Sequence, residues 1–283
     1  MIPGVLRVPT PRRARLKRLA ESVPFWWHSI DLGHGIVTQG HKPSGVLANE
    51  LRALSLPADL TGMTVLDIGG WDGYFAFEAE RRGAKRVAVL DHYMWALDVP
   101  GQQAYWRRCM EEGVAPRPYH ETEYWHPDTM PGRRGFDVAR EALGSRVEAI
   151  EVDFMTADLE RIGVWDLVLY LGVLYHMEDP LAALKRVAAV TGQRAIIETE
   201  AAVVPGYEHE ALWRFFPGAE LNGDVSNWWA PNMAALVGAL EPAGFSSAEV
   251  TLGPSAELLD KPGGPHHFRA VVHGLRSDRA TAG

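Results

Sequence analysis

The feature that most constrains the fold is a short, mainly apolar segment at residues 63–68 that runs directly into glycines. Such a segment predicts a strand buried within a parallel sheet. Residues 74–82 predict a helix that ends at Gly83, and residues 86–90 predict a second strand that ends at Asp91. A strand, a glycine turn, a helix and a second strand in this order predict a βαβ unit.

The alternation of strands and helices is interrupted at residues 93–145, which we predict to be a helical insertion. Further elements are predicted as strands at 147–152, 165–171, 194–199, 245–252 and 268–272, and as helices at 179–190 and 231–243. About seven strands with intervening helices predict an α/β, Rossmann-like fold. Its sheet is expected to be seven-stranded and mostly parallel, in a three-layer sandwich with helical insertions.

The helix at 179–190 carries the clearest local signals. Asp179 is suited to cap its first turn, and Pro180 fits the first helical position. Its apolar spacing predicts a buried stripe formed by Leu181, Leu184, Val187 and Ala188.

Proline content and element spacing predict the domain organisation. Residues 1–60 are rich in prolines and are predicted to form an irregular lid segment. Residues 61–275 are predicted to form the α/β domain, with insertions at 93–145 and 201–231. Residues 276–283 are predicted to be a flexible tail.

The charge distribution disfavours a nucleic-acid-binding body. The chain has 28 basic and 36 acidic residues and a net charge of −8. Six of the basic residues precede the first acid, Glu21, and leave 22 basic against 36 acidic residues in the rest. They are Arg7, Arg12, Arg13, Arg15, Lys17 and Arg18. A body that binds nucleic acid is normally basic, so only this arm suits a polyanion, and we expect it to be a solvated helix start.

The single cysteine, Cys109, excludes a disulfide framework and a cysteine-based zinc site. It favours a reducing compartment, and we expect the protein to be cytoplasmic. The basic arm lacks the apolar core of a secretory signal. No apolar run approaches the ~20 residues that span a bilayer, so no membrane partner is expected.

The glycine turn has a spacing that disfavours a dinucleotide. The dinucleotide fingerprint requires G-x-G-x-x-G, but Trp71 and Tyr74 stand where its second and third glycines belong. An acid just before the turn, Asp67, repels a pyrophosphate and attracts a cation. Asp91, after the second strand, is suited to ribose hydroxyls. The pattern favours an adenosyl ligand with an amino-acid tail and a positively charged sulfur.

Four motifs resemble those of the class I S-adenosylmethionine-dependent methyltransferases: VLDIGGWDGYF, VLDHY, EVDFM and LVLYLGVLYHMEDP. Two further stretches, WWHSIDLGHGIVTQG and FPGAELNGDVSNWWAPN, resemble the group that includes the tRNA wobble-uridine carboxymethyltransferases. The resemblance covers about residues 25–275. It implies S-adenosylmethionine as cofactor.

The resemblance also implies cofactor-binding residues. They are Asp67, Gly69, Gly70 and Gly73 for the methionine and ribose, Asp91 for the ribose hydroxyls, His92 and Phe154 beside adenine, Asp153 at the adenine amine, and Leu171 and Gly172 beside the sulfonium. Structural alternatives remain for some of them. Gly69 and Gly73 also suit a tight turn, Asp153 a helix cap, and Phe154 core packing.

The donor is expected to be plain S-adenosylmethionine. The tRNA enzymes use a carboxylated donor and hold a lysine before the first strand, whereas residues 26–40 contain no Lys or Arg. Arg269 resembles an arginine of that group. One matching cation and one missing cation favour the uncarboxylated donor.

The acceptor side is expected to bind a polyhydroxylated molecule, because aromatic rings stack on sugars while polar groups sort hydroxyls. The predicted substrate-binding residues are Trp27, His28, Glu200, Asn227, Trp228 and Trp229, and further candidates are Trp26, His41 and Asn222. A flat polyketide would use the same rings, and Trp228 and Trp229 also suit a loop anchor. Glu198 and Glu200, two apart on a strand, point the same way and with His176 suggest a divalent ion, but no metal spacing supports it.

The predicted catalytic residues are His176, Tyr175 and Glu198, which follow or lie within strands at the carboxyl edge of the sheet. His176 is suited to be a general base, with His28 and His41 as substitutes; the alternative is that it caps a helix or packs beneath Tyr175. The predicted function is O-methylation of a saccharide or a glycosylated small molecule. The alternatives are a tRNA wobble-uridine modifying (carboxy)methyltransferase, whose basic arm contacts phosphates, and a non-catalytic ligand-binding protein.

Overall fold

The computed structural model describes residues 10–277, which are built around a twisted sheet. The strands are β1 Thr64–Ile68, β2 Arg86–Asp91, β3 Glu148–Glu151, β4 Trp165–Leu171, β5 Thr191–Val203, β6 Trp213–Phe215, β7 Trp229–Pro231, β8 Ser247–Leu252 and β9 His266–Leu275. Seven of them form one sheet in the order β3-β2-β1-β4-β5-β9-β8. The first five are parallel, and β9 runs antiparallel to both β5 and β8. The predicted seven-stranded, mostly parallel sheet is confirmed.

Helices cover both faces of this sheet. They are α1 Pro11–Glu21, α2 Ser44–Ala53, α3 Tyr74–Arg81, α4 Tyr93–Ala96, α5 Val99–Glu112, α6 Arg134–Leu143, α7 Leu159–Ile162, α8 Pro180–Val190, α9 Met233–Gly238, α10 Leu240–Ala243 and α11 Ala256–Leu259. Alternate strand residues enter separate apolar cores: Val65 packs on the side of α1, α3 and α6, and Leu66 packs on the side of α8 and α10. The two cores make the predicted three layers. Within residues 10–277, no helix has the length and apolar character needed to cross a bilayer.

Helix α8 has the predicted cap, but its buried stripe differs at one position. The Asp179 carboxylate accepts a hydrogen bond from the Ala182 amide at 2.8 Å. Leu184, Val187 and Ala188 are buried as predicted, whereas Leu181 is 36% exposed and Ala183 is buried in its place. The stripe is centred towards Ala183 and Val187, which leaves Leu181 at its margin.

The prediction of irregular structure over residues 1–60 is wrong for residues 11–21 and 44–53, which form α1 and α2, although α1 matches the helix start expected for the basic arm. Pro11 occupies the first position of α1, and Pro43 precedes the first residue of α2. Proline is well tolerated at these positions, where its missing N–H has no intrahelical partner. The prolines that suggested broken structure therefore begin helices.

The two predicted insertions have different structures. Residues 93–145 are helical as predicted and contain α4, α5 and α6. Residues 201–231 instead contain the end of β5 and a small antiparallel pair, β6 and β7. The domain divisions at residues 60 and 275 stay predictions. Most of the predicted flexible tail, 278–283, lies outside the described residues.

Removal of residues 1–21 is expected to lower the melting temperature by several degrees. Leu16 is only 4% exposed, and the Trp26 indole N–H donates to the Ala20 carbonyl at 3.0 Å. Exposing a buried leucine costs about 1.5–3 kcal/mol. A thermal melt of this truncation should be compared with removal of residues 1–9, which keeps α1 and its Thr10 cap. Equal melting temperatures would mean that α1 contributes nothing to the core.

Candidate active site

The glycine turn between β1 and α3 leaves space beside a buried acid. Gly69 and Gly73 have φ values of +75° and +84°, which glycine adopts without strain. A Cβ atom on Gly70 would lie 2.6 Å from the Asp67 carboxylate oxygen Oδ2. Only glycine therefore fits beside the Asp67 carboxylate at this position.

Two buried carboxylates, those of Asp67 and Asp91, lie at the carboxyl ends of β1 and β2. Asp91 accepts hydrogen bonds from the amides of Trp71 and Met94, each at 3.0 Å. Oδ2 of Asp67, which is 1% exposed, has no hydrogen-bond partner within residues 10–277. A buried carboxylate oxygen without a partner is unfavourable, and a ligand cation would satisfy it.

Burial raises the pKa of Asp67, and the negative charge of Asp91 acts in the same direction. Together they bring this pKa to about 7. Burial also raises the pKa of Asp91 to about 6, against the opposing effect of its backbone hydrogen bonds. Both shifts mean that this site disfavours two negative charges, an environment that a cationic ligand would relieve.

The ligand-free protein is expected to lose stability as the pH rises towards neutrality. Because the folded pKa of Asp67 is raised above 3.8, its favourable contribution is complete below about pH 4 and is lost as the pH rises through about 7. Asp91 likewise contributes stability at low pH, and this contribution is lost as the pH rises through about 6. Urea unfolding between about pH 5 and pH 8 measures this slope. Asp67→Asn should flatten it and Asp158→Asn, an exposed control, should not; equal slopes in both variants would refute the assignment.

The residues predicted at the adenine have mixed placements. The His92 ring contacts Trp125 edge-to-face at 5.6 Å between centroids. Asp153 is exposed and accepts hydrogen bonds from the Met155 amide and the Thr156 hydroxyl at 2.8 and 3.0 Å. Phe154 is buried in the α8-side core. Phe154 thus packs in the core, as its structural alternative expects, whereas Asp153 holds a turn and caps no helix; the adenine roles of both residues stay predictions.

Leu171 and Gly172 end β4 beside the polar acceptor-side residues. Leu171 is half-buried. A Cβ atom on Gly172 would lie 3.6 Å from both the Arg269 guanidinium and the Tyr175 hydroxyl. The predicted place of Leu171 and Gly172 beside the sulfonium stays a prediction.

The segment around Trp27 and His28 is fastened to the glycine turn. The amides of both residues donate to Asp72 Oδ2 at 2.9 Å, and the His28 ring Nδ1 pairs with the other Asp72 oxygen. Trp71 stacks against both Phe25 and Trp27, at centroid distances of 5.7 and 4.9 Å.

Trp27 and His28 therefore lie against the predicted cofactor loop, and their contacts with an acceptor stay predictions. His41 belongs to the same stack, 4.7 Å from Trp27. Asp72, which organises this contact, was not identified from the sequence. The signal available was an acid inside the glycine turn.

The acceptor side contains a compact ionic cluster. The Arg269 guanidinium forms a two-pronged contact with Glu198 and donates to Glu200 at 3.0 Å. The Asn222 amide also donates to Glu200, at 3.0 Å. Glu198 and Glu200 point the same way, as expected for alternate strand residues. Within residues 10–277, no group of three or more His, Cys, Asp or Glu side chains is arranged to hold a metal ion.

Tyr175 lies against this cluster, with its ring centroid 5.0 Å from the Arg269 guanidinium carbon. Burial raises the pKa of Tyr175, which opposes loss of its proton. The phenol is consequently suited to donate a hydrogen bond and unsuited to act as a base near neutral pH.

His176 lies beside Tyr175, with 4.2 Å between ring centroids, in a short 3₁₀ helix that follows β4. Its Nδ1 lies 3.0 Å from both the carbonyl and the hydroxyl oxygen of Ser226. Burial lowers the pKa of His176, so the neutral imidazole is favoured. The alternative that His176 caps helix α8 is not favoured, because the Asp179 side chain caps that helix.

Asn227, Trp228 and Trp229 hold the loop that carries Ser226. The Asn227 amide donates to the Leu221 carbonyl at 2.9 Å, and the Trp228 indole donates to the Val225 carbonyl at 2.8 Å. Trp229 packs against Phe215 at 5.0 Å. These contacts agree with the loop-anchor alternative, and the predicted acceptor contacts stay predictions. Asp224 and Ser226 themselves were missed, because no recognisable motif marks them.

Comparisons with known proteins agree with this architecture. The family described as "Methyltransferase domain" matches residues 40–250. The tRNA U34 carboxymethyltransferase of Psychrobacter cryohalolentis is 27% identical over 196 residues, which are 66% of this chain and 44% of that protein. The enzyme of the same name from Mannheimia succiniciproducens is 28% identical over 197 residues, covering 69% and 49%. The chain thus spans about half the length of these curated relatives.

Among solved structures, the N-terminal domain of EvdMO1, crystallised in the presence of SAH and D-fucose, has a TM-score of 0.57 and 19% identity. The match covers 95% of this chain and 98% of that domain. The longer EvdMO1 chain has a TM-score of 0.55 and 20% identity, covering 93% and 48%. These similarities confirm the fold.

Proposed function

Because the chain belongs to the class I S-adenosylmethionine-dependent methyltransferase family, we propose that it methylates a hydroxyl of a saccharide or glycosylated small molecule. The observation that carries the proposal is the neutral His176 imidazole beside the Arg269–Glu198–Glu200 cluster. A base next to several fixed hydrogen-bonding groups suits an acceptor that has more than one hydroxyl. The D-fucose present with the N-terminal domain of EvdMO1 supports a sugar acceptor.

The residues of the pocket fit S-adenosylmethionine. Asp67 Oδ2 is unpartnered within residues 10–277 and suits the ammonium of the amino-acid tail, and Asp91 suits the ribose hydroxyls. When bound, this cofactor supplies an electrophilic methyl group on a sulfonium. Arg269 already has two carboxylate partners, which makes it a poor partner for a third and supports the uncarboxylated donor.

His176 is proposed to accept the hydroxyl proton as the oxygen attacks the methyl carbon. The O–H and S–CH₃ bonds break, the O–CH₃ bond forms, and the proton moves to Nε2 of the imidazole. The Ser226 oxygens then hold the imidazolium through Nδ1. Glu198, Glu200 and Tyr175 are proposed to orient the acceptor, since alignment of the two reactants supplies much of the acceleration.

A tRNA wobble-uridine modifying (carboxy)methyltransferase is the second candidate, and the named tRNA relatives favour it. The net charge of −8 and the neutralised Arg269 weigh against it. Within the basic arm, Arg15 pairs with Glu141 at 2.6 Å and is directed to the protein itself. The His176 imidazole, held by Ser226 beside the ionic cluster, weighs against the remaining alternative, a non-catalytic binding protein, because binding of the donor alone requires no base.

The proposed location is the cytoplasm. Cys109 is the only cysteine in the chain and is buried. A chain with a single cysteine, and therefore no disulfide within the chain, is typical of proteins in reducing compartments.

The test is a methylation assay with S-adenosylmethionine against a panel of glycosides, oligosaccharides and unmodified tRNA, followed by mass spectrometry of each acceptor. We expect a methyl-group increase in mass on at least one saccharide and none on tRNA. Methylation of tRNA alone would replace the proposal with the second candidate. Binding of the cofactor with no turnover on any acceptor would support the non-catalytic alternative.

A further inference from the structure

A hydrogen-bonded chain leads from His176 to a carboxylate that no motif identified. The Ser226 hydroxyl lies 2.7 Å from Asp224 Oδ1 and 3.0 Å from His176 Nδ1. The Ser226 carbonyl lies 3.0 Å from the same Nδ1. Three residues from two loops at the carboxyl edge of the sheet are therefore connected in series.

The positions of the protons in this chain follow from the chemistry of its atoms. A carbonyl oxygen can only accept, so His176 Nδ1 must carry a proton and donate to Ser226. The Ser226 hydroxyl has one proton, which Asp224 accepts, and its oxygen is free to accept from Nδ1. The neutral imidazole then has its lone pair on Nε2, for which residues 10–277 provide no hydrogen-bond partner.

We propose that Asp224, acting through Ser226, is the positioning residue that holds His176 with its Nε2 lone pair available to the acceptor hydroxyl. The proposal rests on the function proposed above, in which His176 is the base. Asp224 touches neither the cofactor nor the acceptor on this view. Its role is to select one tautomer and one ring orientation, and to stabilise the imidazolium when it forms.

The helical insertion contributes to the same chain. The Tyr119 hydroxyl lies 3.3 and 3.4 Å from the two oxygens of Asp224, and the Ser226 amide donates to Oδ1 at 2.8 Å. Tyr119 is itself buried and contacts the Tyr93 ring at 5.3 Å. Asp224 is thus fixed by donors from both sides, and residues 93–145 are coupled to the geometry of the base.

The charges around His176 determine the sign of the expected pH effect. Burial lowers its pKa, the negative charges of Asp224 and Glu200 oppose that shift, and Arg269 reinforces it. The neighbouring Tyr175 is uncharged near neutral pH, since burial raises its pKa. Removal of the Asp224 charge therefore lowers the pKa of His176 further. Because the base must be neutral, the acid limb of the pH–rate profile moves to lower pH.

The first experiment measures kcat, KM and the pH–rate profile of Asp224→Asn, with Asp224→Glu as the charge-retaining variant and Asp158→Asn as an exposed carboxylate control. We expect Asp224→Asn to lower kcat by about tenfold or more, with cofactor affinity unchanged and the acid limb shifted to lower pH. Asp224→Glu should keep the limb near its original position. A limb that stays in place in Asp224→Asn, whatever the loss of stability, would reduce Asp224 to a turn-forming residue.

The second experiment does not depend on the acceptor. Nitrogen NMR of labelled histidine, with the His176 signals assigned by their loss in His176→Gln, reports which ring nitrogen carries the proton. We expect a protonated Nδ1 in the full chain and a mixture of tautomers in Ser226→Ala and Asp224→Asn. Identical tautomers in all three proteins would overturn the proposal. If no acceptor is methylated but the tautomer changes, the function proposed above fails and the positioning role of Asp224 stands.

Discussion

Replacement of His176 by alanine is expected to lower kcat by about a hundredfold or more while the Kd for S-adenosylmethionine stays near that of the unaltered protein. A sugar hydroxyl is a weak nucleophile near neutral pH, and a positioned general base contributes about 10²–10⁴-fold. Burial lowers the pKa of His176, so the free base is the prevailing form at neutral pH. Its ring is fixed through Ser226, and within residues 10–277 no hydrogen bond joins it to Asp67 or Asp91.

The measurement requires turnover and cofactor affinity for the same variant, because the two quantities separate catalysis from folding. His120→Ala is a matched control, since that imidazole is exposed in the insertion. Turnover near normal in His176→Ala would remove His176 as the base. Loss of cofactor binding together with turnover would make it a scaffold residue, with its packing against Tyr175 as the cause.

Replacement of Asp91 by alanine is expected to weaken S-adenosylmethionine binding by about a hundredfold. Its carboxylate is suited to accept from the ribose hydroxyls, and a hydrogen bond to a charged group contributes about 1.5–3 kcal/mol. The same carboxylate holds the amides of Trp71 and Met94, so alanine also releases the glycine turn from β2. Both effects reduce affinity.

A thermal melt with and without cofactor measures this loss, because a ligand that binds only the folded protein raises its melting temperature. The ligand-induced shift should be large in the unaltered protein and nearly absent in Asp91→Ala. Asp158→Ala, which removes an exposed carboxylate, should keep the full shift. An unchanged shift in Asp91→Ala would contradict the ribose assignment, and a protein stabilised by NAD but not by S-adenosylmethionine would contradict the donor.

The sequence predicted the elements that are determined by interactions between residues close together in the chain. The segment β1–turn–α3–β2 was predicted to within about two residues at each end. A buried strand, a turn with positive-φ glycines and an apolar helix each have a characteristic pattern in consecutive residues. The Asp179 cap was identified for the same reason. The extent of α1 and the whole of α2 were missed because Pro11 and Pro43 have the same appearance in sequence whether they break a helix or begin one. Only the burial of α1 against the core distinguishes the two outcomes.

The sequence by itself determined the fold class and the acids and glycines around Asp67, since these belong to one continuous βαβ unit. The tertiary structure alone decided which charges and hydrogen bonds meet on the acceptor side. Arg269 is paired with Glu198 across 71 positions of sequence, and Ser226 with His176 across 50. Contacts at such separations depend on strand order and on which loop lies across the carboxyl edge of the sheet. The residues next to each of these positions in sequence do not indicate the strand order, because the packing of the helices and the sheet as layers determines it.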